Sequence, residues 1–274
     1  MSEPVTLTLR IPLDHPIDAE CISPDRFALS SSREIEQLPV WAGREQRNLG
    51  DYFTVRGERS SGIRLSGDVR RVSGIGASMS VGSILVDGDA GSHVGMGMSG
   101  GRIDVHGDVG DDAAAGMSGG ALHVRGNAGD RLAAGLPGAS RGATGGEVVI
   151  EGSAGGDVAA RMRRGLVFVG GNAGDYSARS IIAGTVFVLG GVGREPATGS
   201  KRGSLVVGGS VDVPNTYQLA CRYESPHVRL ALMHVSRTYG ISVDRQFIVG
   251  SYDRYCGDAG TVGKGEILVF AASG

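Results

Sequence analysis

The sequence reads MSGGRIDVHGDVG over residues 98–110 and MSGGALHVRGNAG over residues 117–129, so a similar segment recurs after 19 residues. The repeat that begins at Ala121 carries seven additional residues, and an earlier unit, 62–82, fits with a length of 21. A regular internal period of this kind is typical of proteins whose units stack on one another. The aligned repeats begin at Ser83, Arg102, Ala121, Glu147, Leu166, Thr185 and Ser204.

Two features of the repeat indicate its local structure. The second and fourth positions are always aliphatic, as in Ile103 and Val105, and this alternation predicts a β-strand. The sixth position is always glycine, and the thirteenth is only Gly or Ala, as in Ala133 and Ala178. Glycine-rich positions of this kind form turns, and the restriction to Gly and Ala predicts a tight inner corner. A strand and two turns leave no room for a helix within 19 residues.

The repeat therefore predicts an all-β protein built on a right-handed parallel β-helix, a solenoid of about eight coils, over residues 62–210. The aliphatic second and fourth positions fill its interior. The side chains of Met98, Met117 and Met162 are expected to stack at another interior corner.

The two flanking regions lack the repeat. A solenoid needs its open ends covered, so we expect residues 1–61 to form an N-terminal cap and residues 211–274 a C-terminal one. Within the C-terminal region, residues 226–239 have the pattern of a short amphipathic helix, and residues 263–270 that of a final strand.

Composition and charge exclude several classes of protein. The chain has 48 glycines among 274 residues, but its apolar fraction of 41% is too high for a disordered chain. The formal net charge of −2 does not favour nucleic-acid binding. Three widely spaced cysteines exclude a disulfide scaffold and favour a reducing cytoplasm. No apolar run approaches the ~20 residues that span a bilayer, so we expect a cytoplasmic protein without a membrane partner.

No motif in the sequence predicts catalysis. The match to G-x-G-x-x-G at residues 95–100 belongs to the repeat and lacks the following helix of a dinucleotide site. His106 and His123 occupy outward positions of adjacent coils and could form a metal site, although a solvated charge ladder is the simpler interpretation. The recurring acids Asp111, Asp130 and Asp175 are interpreted as acceptors for backbone N–H groups. The sequence thus predicts neither a catalytic residue nor a metal ligand.

The outward positions of the strands become apolar toward the C-terminal end of the solenoid. An apolar outer stripe needs a cover, which is either the C-terminal appendage or another protein. We predict an interface with another protein at the five residues of this stripe, which are Val149, Phe168, Phe187, Leu189 and Val206.

Basic residues recur along one outer edge of the predicted coils. Arg163 and Arg164 occupy the same repeat positions as Lys201 and Arg202 two coils later, and Arg141 lies in the seven-residue insertion. Such an edge is solvated, contacts an acidic protein surface, or binds a polyanion.

The repeats resemble those in the C subunit of formylmethanofuran dehydrogenase. The two segments quoted above carry the resemblance, together with the lead-in LGDYFTVRG at residues 49–57 and the tail YCGDAGTVGKGEI at residues 255–267. The likeness runs from about residue 45 to the C-terminus. The repeats alone are shared with the C-terminal domain of glutamate synthase.

The resemblance implies a β-helical subunit that is not itself catalytic. It implies three partners, which resemble an aminohydrolase, the dehydrogenase B subunit and a formyltransferase. These partners hold the metal and the methanofuran-type carrier, while this chain binds no cofactor. The 25 arginines against two lysines favour the bacterial formyltransferase/hydrolase version, in which formyl passes from tetrahydromethanopterin to the carrier and leaves as formate. Because such carriers bear glutamate-rich tails, the basic edge could steer the tail.

Three alternatives remain open. The chain could be the C subunit of a tungsten- or molybdenum-containing dehydrogenase, or a β-helix like that of glutamate synthase, which transmits structure between catalytic domains. A carbohydrate-active β-helix is disfavoured because no outward cluster of carboxylates is present.

Overall fold

The computed structural model describes residues 3–271. The first two and the last three residues of the chain lie outside the described part. The N-terminal region forms short elements that pack against the first repeat. Its elements are β1 (Val5–Leu9), β2 (Ile17–Asp18), α1 (Pro24–Phe27), α2 (Ser32–Glu36), β3 (Pro39–Ala42), β4 (Glu45–Asn48), α3 (Leu49–Tyr52) and β5 (Phe53–Arg56).

Each repeat contributes one short strand at its start, and the unit 62–82 adds a second strand of two residues. The strands begin at the repeat starts because the aliphatic second and fourth positions require one face of the strand to be buried. The strands are β6 (Gly62–Ser66), β7 (Val72–Ser73), β8 (Ser83–Val86), β9 (Arg102–Val105), β10 (Ala121–Val124), β11 (Glu147–Ile150), β12 (Leu166–Val169), β13 (Thr185–Val188) and β14 (Ser204–Val207).

The C-terminal region adds two helices and three strands. The helix predicted over residues 226–239 and the final strand are both present. The elements are β15 (Gln218–Glu224), α4 (Pro226–Tyr239), α5 (Arg245–Val249), β16 (Ser251–Gly257) and β17 (Gly265–Ala271).

Successive repeats pair as parallel strands in register. Leu122 of β10 lies opposite Ile103 of β9 and Val148 of β11, and the seven-residue insertion leaves this register unchanged. A 13-stranded sheet results, with the order β15-β16-β17-β14-β13-β12-β11-β10-β9-β8-β6-β1-β5, and β4-β3-β2-β7 form a second sheet. Parallel bridges from Val69 to Val192 join the repeats at a second place. The chain is therefore mostly strands with few helices, and the stacking of repeats is confirmed. The right-handed winding stays a prediction.

The interior of the stack is filled as the repeat pattern predicts. Ile103, Leu122 and the other residues of the second and fourth positions are buried. Met98 and Met117 are fully buried as well, as is Met162.

The thirteenth repeat position is restricted by backbone conformation as well as by space. Ala133 and Ala178 are fully buried and have φ of 54° and 59°, in the left-handed region that side chains with a Cβ rarely adopt. The eleventh and usually the fifteenth positions also have positive φ, as in Asp112 and Gly116. Because of this alternation, successive N–H groups point to the preceding coil and to the following coil. The N–H of Ala114 donates to the carbonyl group of Val94 in the preceding coil at 2.8 Å, and the N–H of Gly116 donates to the carbonyl group of Ala134 in the following coil at 2.9 Å.

The recurring Asp and Asn side chains link adjacent coils. Asp111 accepts a hydrogen bond from the N–H of Asp130 at 2.9 Å, and Asp175 accepts one from the N–H of Arg194 at 2.8 Å. The interpretation of these acids as backbone acceptors is confirmed. They replace ladder bonds at turns where the carbonyl groups of neighbouring coils do not reach.

Carboxylates close the two ends of the stack. The last complete coil is 185–203, and the N–H of Gly199 at its fifteenth position donates to Asp258 Oδ2 at 2.8 Å. In an earlier coil the same position, Gly116, donates to a carbonyl group of the following coil. In the first coil, the N–H of Ser80 donates to Asp25 Oδ2 at 2.9 Å. Each carboxylate thus accepts the bond that a carbonyl group of a further coil would accept.

The terminal carboxylate Asp258 should make stability depend on pH. Burial by itself raises its pKa, but hydrogen bonds from the N–H groups of Gly199 and Gly260 hold the pKa below its usual value. A carboxyl with a lowered pKa in the folded state stabilises the fold above its unfolded pKa of about 3.9, and this contribution is lost as the pH falls. At pH 7 the midpoint temperature of thermal unfolding should therefore be lower for Asp258→Asn than for the wild type. Below about pH 4 the two midpoint temperatures should become equal.

The exposed carboxylate Asp212 provides the control, because it lies in the same C-terminal region and makes no hydrogen bond within residues 3–271. Asp212→Asn should unfold like the wild type at every pH. Equal unfolding of Asp258→Asn and the wild type at pH 7 would contradict the capping role.

Candidate functional sites on the outer face and the basic edge

The apolar stripe is covered by the chain itself. Val149, Phe168, Phe187 and Val206 are at most 1% exposed, and they form a second core with residues of α4, β16 and β17. Leu189 is half-buried against the same core. The expectation that these five residues form an interface with another protein is therefore corrected. The C-terminal appendage packs on the stripe because the two apolar faces bury each other.

Helix α4 supplies most of this cover. Its buried residues Val228, Leu232 and Val235 lie three to four positions apart, which places them on one face of the helix. Ser225 caps its N-terminus by accepting from the N–H of Val228, and Gly240 ends it in the left-handed conformation at φ 72°. The helix crosses the sheet from β13 to β9.

A polar seam closes the end of α4 against strands β9–β11. His123 is 6% exposed, with its Nε2 3.0 Å from Glu151 Oε1 and its Nδ1 3.3 Å from Asp104 Oδ1. The Tyr239 hydroxyl donates to Glu147 Oε2 at 2.8 Å, and the Arg102 guanidinium lies 5.2 Å from the centre of the Tyr239 ring. The seam therefore joins the helix to the sheet through charge-assisted hydrogen bonds.

The charges of the seam shift the acidity of two of its groups. Burial would raise the pKa of Asp104, but hydrogen bonds from His123 and Arg102 lower it far below the usual value. Burial, and then the hydrogen bond to Glu147, raise the pKa of Tyr239. The seam therefore holds an ionised Asp104 and a neutral Tyr239 at neutral pH.

The two histidines considered as metal ligands line one concavity but make different contacts. His123 faces two carboxylates, whereas His106 is exposed. Within residues 3–271, no group of three or more His, Cys, Asp or Glu side chains could hold a metal ion. The same part of the chain contains no helix long and apolar enough to cross a membrane.

The buried stripe should make Phe168 important for folding. Phe168→Asp should lower the free energy of unfolding by at least about 3–5 kcal/mol, because it removes a buried aromatic ring and buries an unpaired charge. Urea unfolding measures the loss. Leu230→Asp is the matched control, because Leu230 lies on α4 with 68% exposure and should tolerate the charge. A Phe168→Asp variant as stable as Leu230→Asp would contradict the packing.

The basic edge forms a shallow site near the C-terminal end of the stack. Arg163, Arg164, Lys201 and Arg202 line a concavity of about 460 Å³. All four side chains are exposed, and none of them pairs with a carboxylate within residues 3–271. Arg141 is also exposed, but it lies outside the concavity.

An apolar floor completes this basic site. Ile182 and Ala183 come from the coil between the two basic pairs, and Val262, which is 57% exposed, comes from the loop before β17. The repeat pattern gave no sign of Val262, because only tertiary structure brings the C-terminal loop to this edge. The site presents four free cations beside an apolar surface, an arrangement that suits an anionic group with an apolar or flexible stem.

Comparison with known proteins identifies the family. The fold superposes with a TM-score of 0.90 on a chain of the crystal structure of the formyltransferase/hydrolase complex FhcABCD from Methylorubrum extorquens in complex with methylofuran. The sequences are 34% identical, over 97% of this chain and 99% of that chain. This chain belongs to the C-subunit family of formyltransferase/hydrolase and formylmethanofuran dehydrogenase complexes. The resemblance seen in the repeats is thus confirmed.

Curated members of the C-subunit family match over shorter stretches. The C subunit of the molybdenum-containing formylmethanofuran dehydrogenase 1 from Methanosarcina barkeri is 41% identical over 87 residues, which cover 30% of this chain and 29% of that protein. The Fhc C subunit from Methylorubrum extorquens is 34% identical over 89 residues, 32% of this chain and 34% of that protein. The matched stretches therefore span about a third of these relatives or less. No protein-family model matches the chain.

Proposed function

We propose that this chain is the structural subunit of a formyltransferase/hydrolase complex that moves a formyl group from formyl-tetrahydromethanopterin to a methanofuran-type carrier and releases formate. The end-to-end superposition on a chain of FhcABCD carries the proposal. The repeat stack winds as a right-handed β-helix, and the chain serves as a scaffold. Catalysis and the metal belong to the partners that resemble an aminohydrolase, the dehydrogenase B subunit and a formyltransferase.

A second candidate is the C subunit of a tungsten- or molybdenum-containing formylmethanofuran dehydrogenase. The curated relatives of that kind favour it, since one reaches 41% identity over part of the chain. Affinity purification of the tagged chain from its own cells, followed by mass spectrometry, separates the two. A formyltransferase among the partners supports the first function, and iron–sulfur proteins support the second.

The scaffold role predicts that the isolated chain is inactive. Purified protein free of its partners should neither transfer formyl groups nor hydrolyse formylmethanofuran, whereas omission of the chain should reduce the yield of assembled complex. Both are measured by reconstitution from separately purified subunits. Turnover by the isolated chain in the presence of metal would contradict a purely structural role.

We also propose that the basic site steers the glutamate-rich tail of the carrier. A tail that moves between active sites must be held weakly, and exposed charge pairs contribute only ~0–1 kcal/mol each and are screened by salt. Arg163, Arg164, Lys201 and Arg202 are exposed and unpaired, so their charge is available to carboxylates. Arg141 would extend the positive region toward the insertion.

Replacing the four residues of the basic site by Ser tests the steering. The assembled complex should lose turnover with the long-tailed carrier, about tenfold if each pair contributes a few tenths of a kcal/mol, and should keep it with a carrier of truncated tail. Arg194→Ser is the control, because that exposed guanidinium already pairs with Asp175 at 2.7 Å. Equal loss with both carriers, or no loss, would contradict tail steering, and failed assembly would assign the site to an interface with a partner protein.

A further inference from the structure

The last strand of the chain extends the basic edge by one coil. Strand β17 stacks on β14 as a further repeat would, with Glu266 opposite Ser204, and the N–H of Glu266 donates to the carbonyl group of Gly203 at 3.0 Å. The N–H of Ser204 makes the same bond to the coil before it. Lys264 therefore takes the place before β17 that Arg202, two residues before Ser204, takes before β14.

The cations at this place form a row along the axis of the stack. Arg164 and Arg202 hold the eighteenth repeat position two coils apart, and Lys264 holds its equivalent one coil further. At about 4.8 Å per coil, the row has steps of about 10 Å and about 5 Å. A ligand that contacts all three cations must therefore be elongated, about 15 Å long or more, and lie parallel to the stack axis.

No free carboxylate of the described part of the chain cancels the charge of this row. Lys264 is exposed and makes no hydrogen bond or ion pair with another described residue. The last six positions of the three coils in 147–203 contain neither Asp nor Glu. The acids on either side of Lys264 are engaged, since Asp258 accepts from backbone N–H groups and Glu266 accepts from Arg254 Nε at 2.7 Å. The positive charge of the row is therefore available to an anion from outside.

We infer that Lys264 is a fifth cation of the basic site and that the site binds a linear polycarboxylate laid along the stack axis. Successive carboxylates of such a chain meet successive cations of the row. The apolar floor of Ile182, Ala183 and Val262 suits the methylene groups between the carboxylates. A nucleic acid fits less well, because no aromatic side chain among the described residues lines the concavity for a base to stack on. The inference rests on the proposed function, in which the ligand is the tail of the carrier.

Oligoglutamates of increasing length test the inference, because an extended peptide advances about 3.4 Å per residue. Labelled peptides titrated into the full chain at low salt should bind more tightly as they lengthen from two to about five residues, which span the row from Arg164 to Lys264. With Lys264→Ser the gain should end at about three residues, which span the distance from Arg164 to Arg202. The affinity for the five-residue peptide should fall about two- to fivefold, as expected for the loss of one exposed charge pair. Lys264→Arg, which keeps the charge, should bind like the wild type.

The matched control is Arg44→Ser, which removes an exposed cation of the β3–β4 hairpin that pairs with no described residue. Its dependence on peptide length should match that of the wild type. An unchanged dependence in Lys264→Ser, or an equal loss in both variants, would overturn the inference and leave the proposed steering of the tail intact. A wild-type chain that binds no oligoglutamate of any length, alone or in the assembled complex, would instead refute the steering itself.

Discussion

Hydrogen bonding between successive coils is the constraint on which the rest of the structure depends. Each of the strands β8–β13 pairs in parallel with the repeat strand on either side of it in the large sheet, without a change of register. A side chain at a given repeat position therefore lies directly over its counterparts in the neighbouring coils. An interior position must be small or aliphatic in every coil, because a side chain of the wrong size in one coil would disturb the packing of both neighbouring coils. The glycine content follows largely from the same constraint, because a Cβ at the sixth repeat position would collide with the preceding coil. Gly107 would meet Asp89 in this way, and Gly126 would meet Asp108.

The regions on either side of the repeats satisfy backbone groups that the stack would leave unpaired at its ends. A repeat whose N–H and C=O groups point along the stack leaves unpaired groups at both ends. At the two ends Asp25 and Asp258 accept these bonds, and strands β1 and β17 extend the sheet at either end. The N-terminal and C-terminal regions are thus parts of one folded unit with the repeats. Helix α4, which is part of the C-terminal region, buries the apolar half of the outer face.

The outer face of the large sheet has an apolar half and a polar half. Its apolar half is occupied by the chain itself and is a core. Its polar half, on β8–β10, carries balanced charge, with Arg102 and Arg125 against Asp87 and Asp104. The basic site lies on another edge near the C-terminal end. The basic site presents its cations on turns of the stacked coils, so that their spacing is set by the coil.

The repeat determined the strands, their parallel stacking and the buried aliphatic and methionine positions, because each is a local pattern repeated at a fixed interval. It also determined that Asp111, Asp130 and Asp175 accept backbone bonds. The sequence did not decide what covers the stripe of Phe168 and Phe187, since an exposed apolar pattern is equally compatible with an internal and an external partner. Only the tertiary structure brought α4 across these strands, turned His123 toward two carboxylates and placed Val262 beside Arg163. Those contacts join residues far apart in the chain, and no periodicity records them.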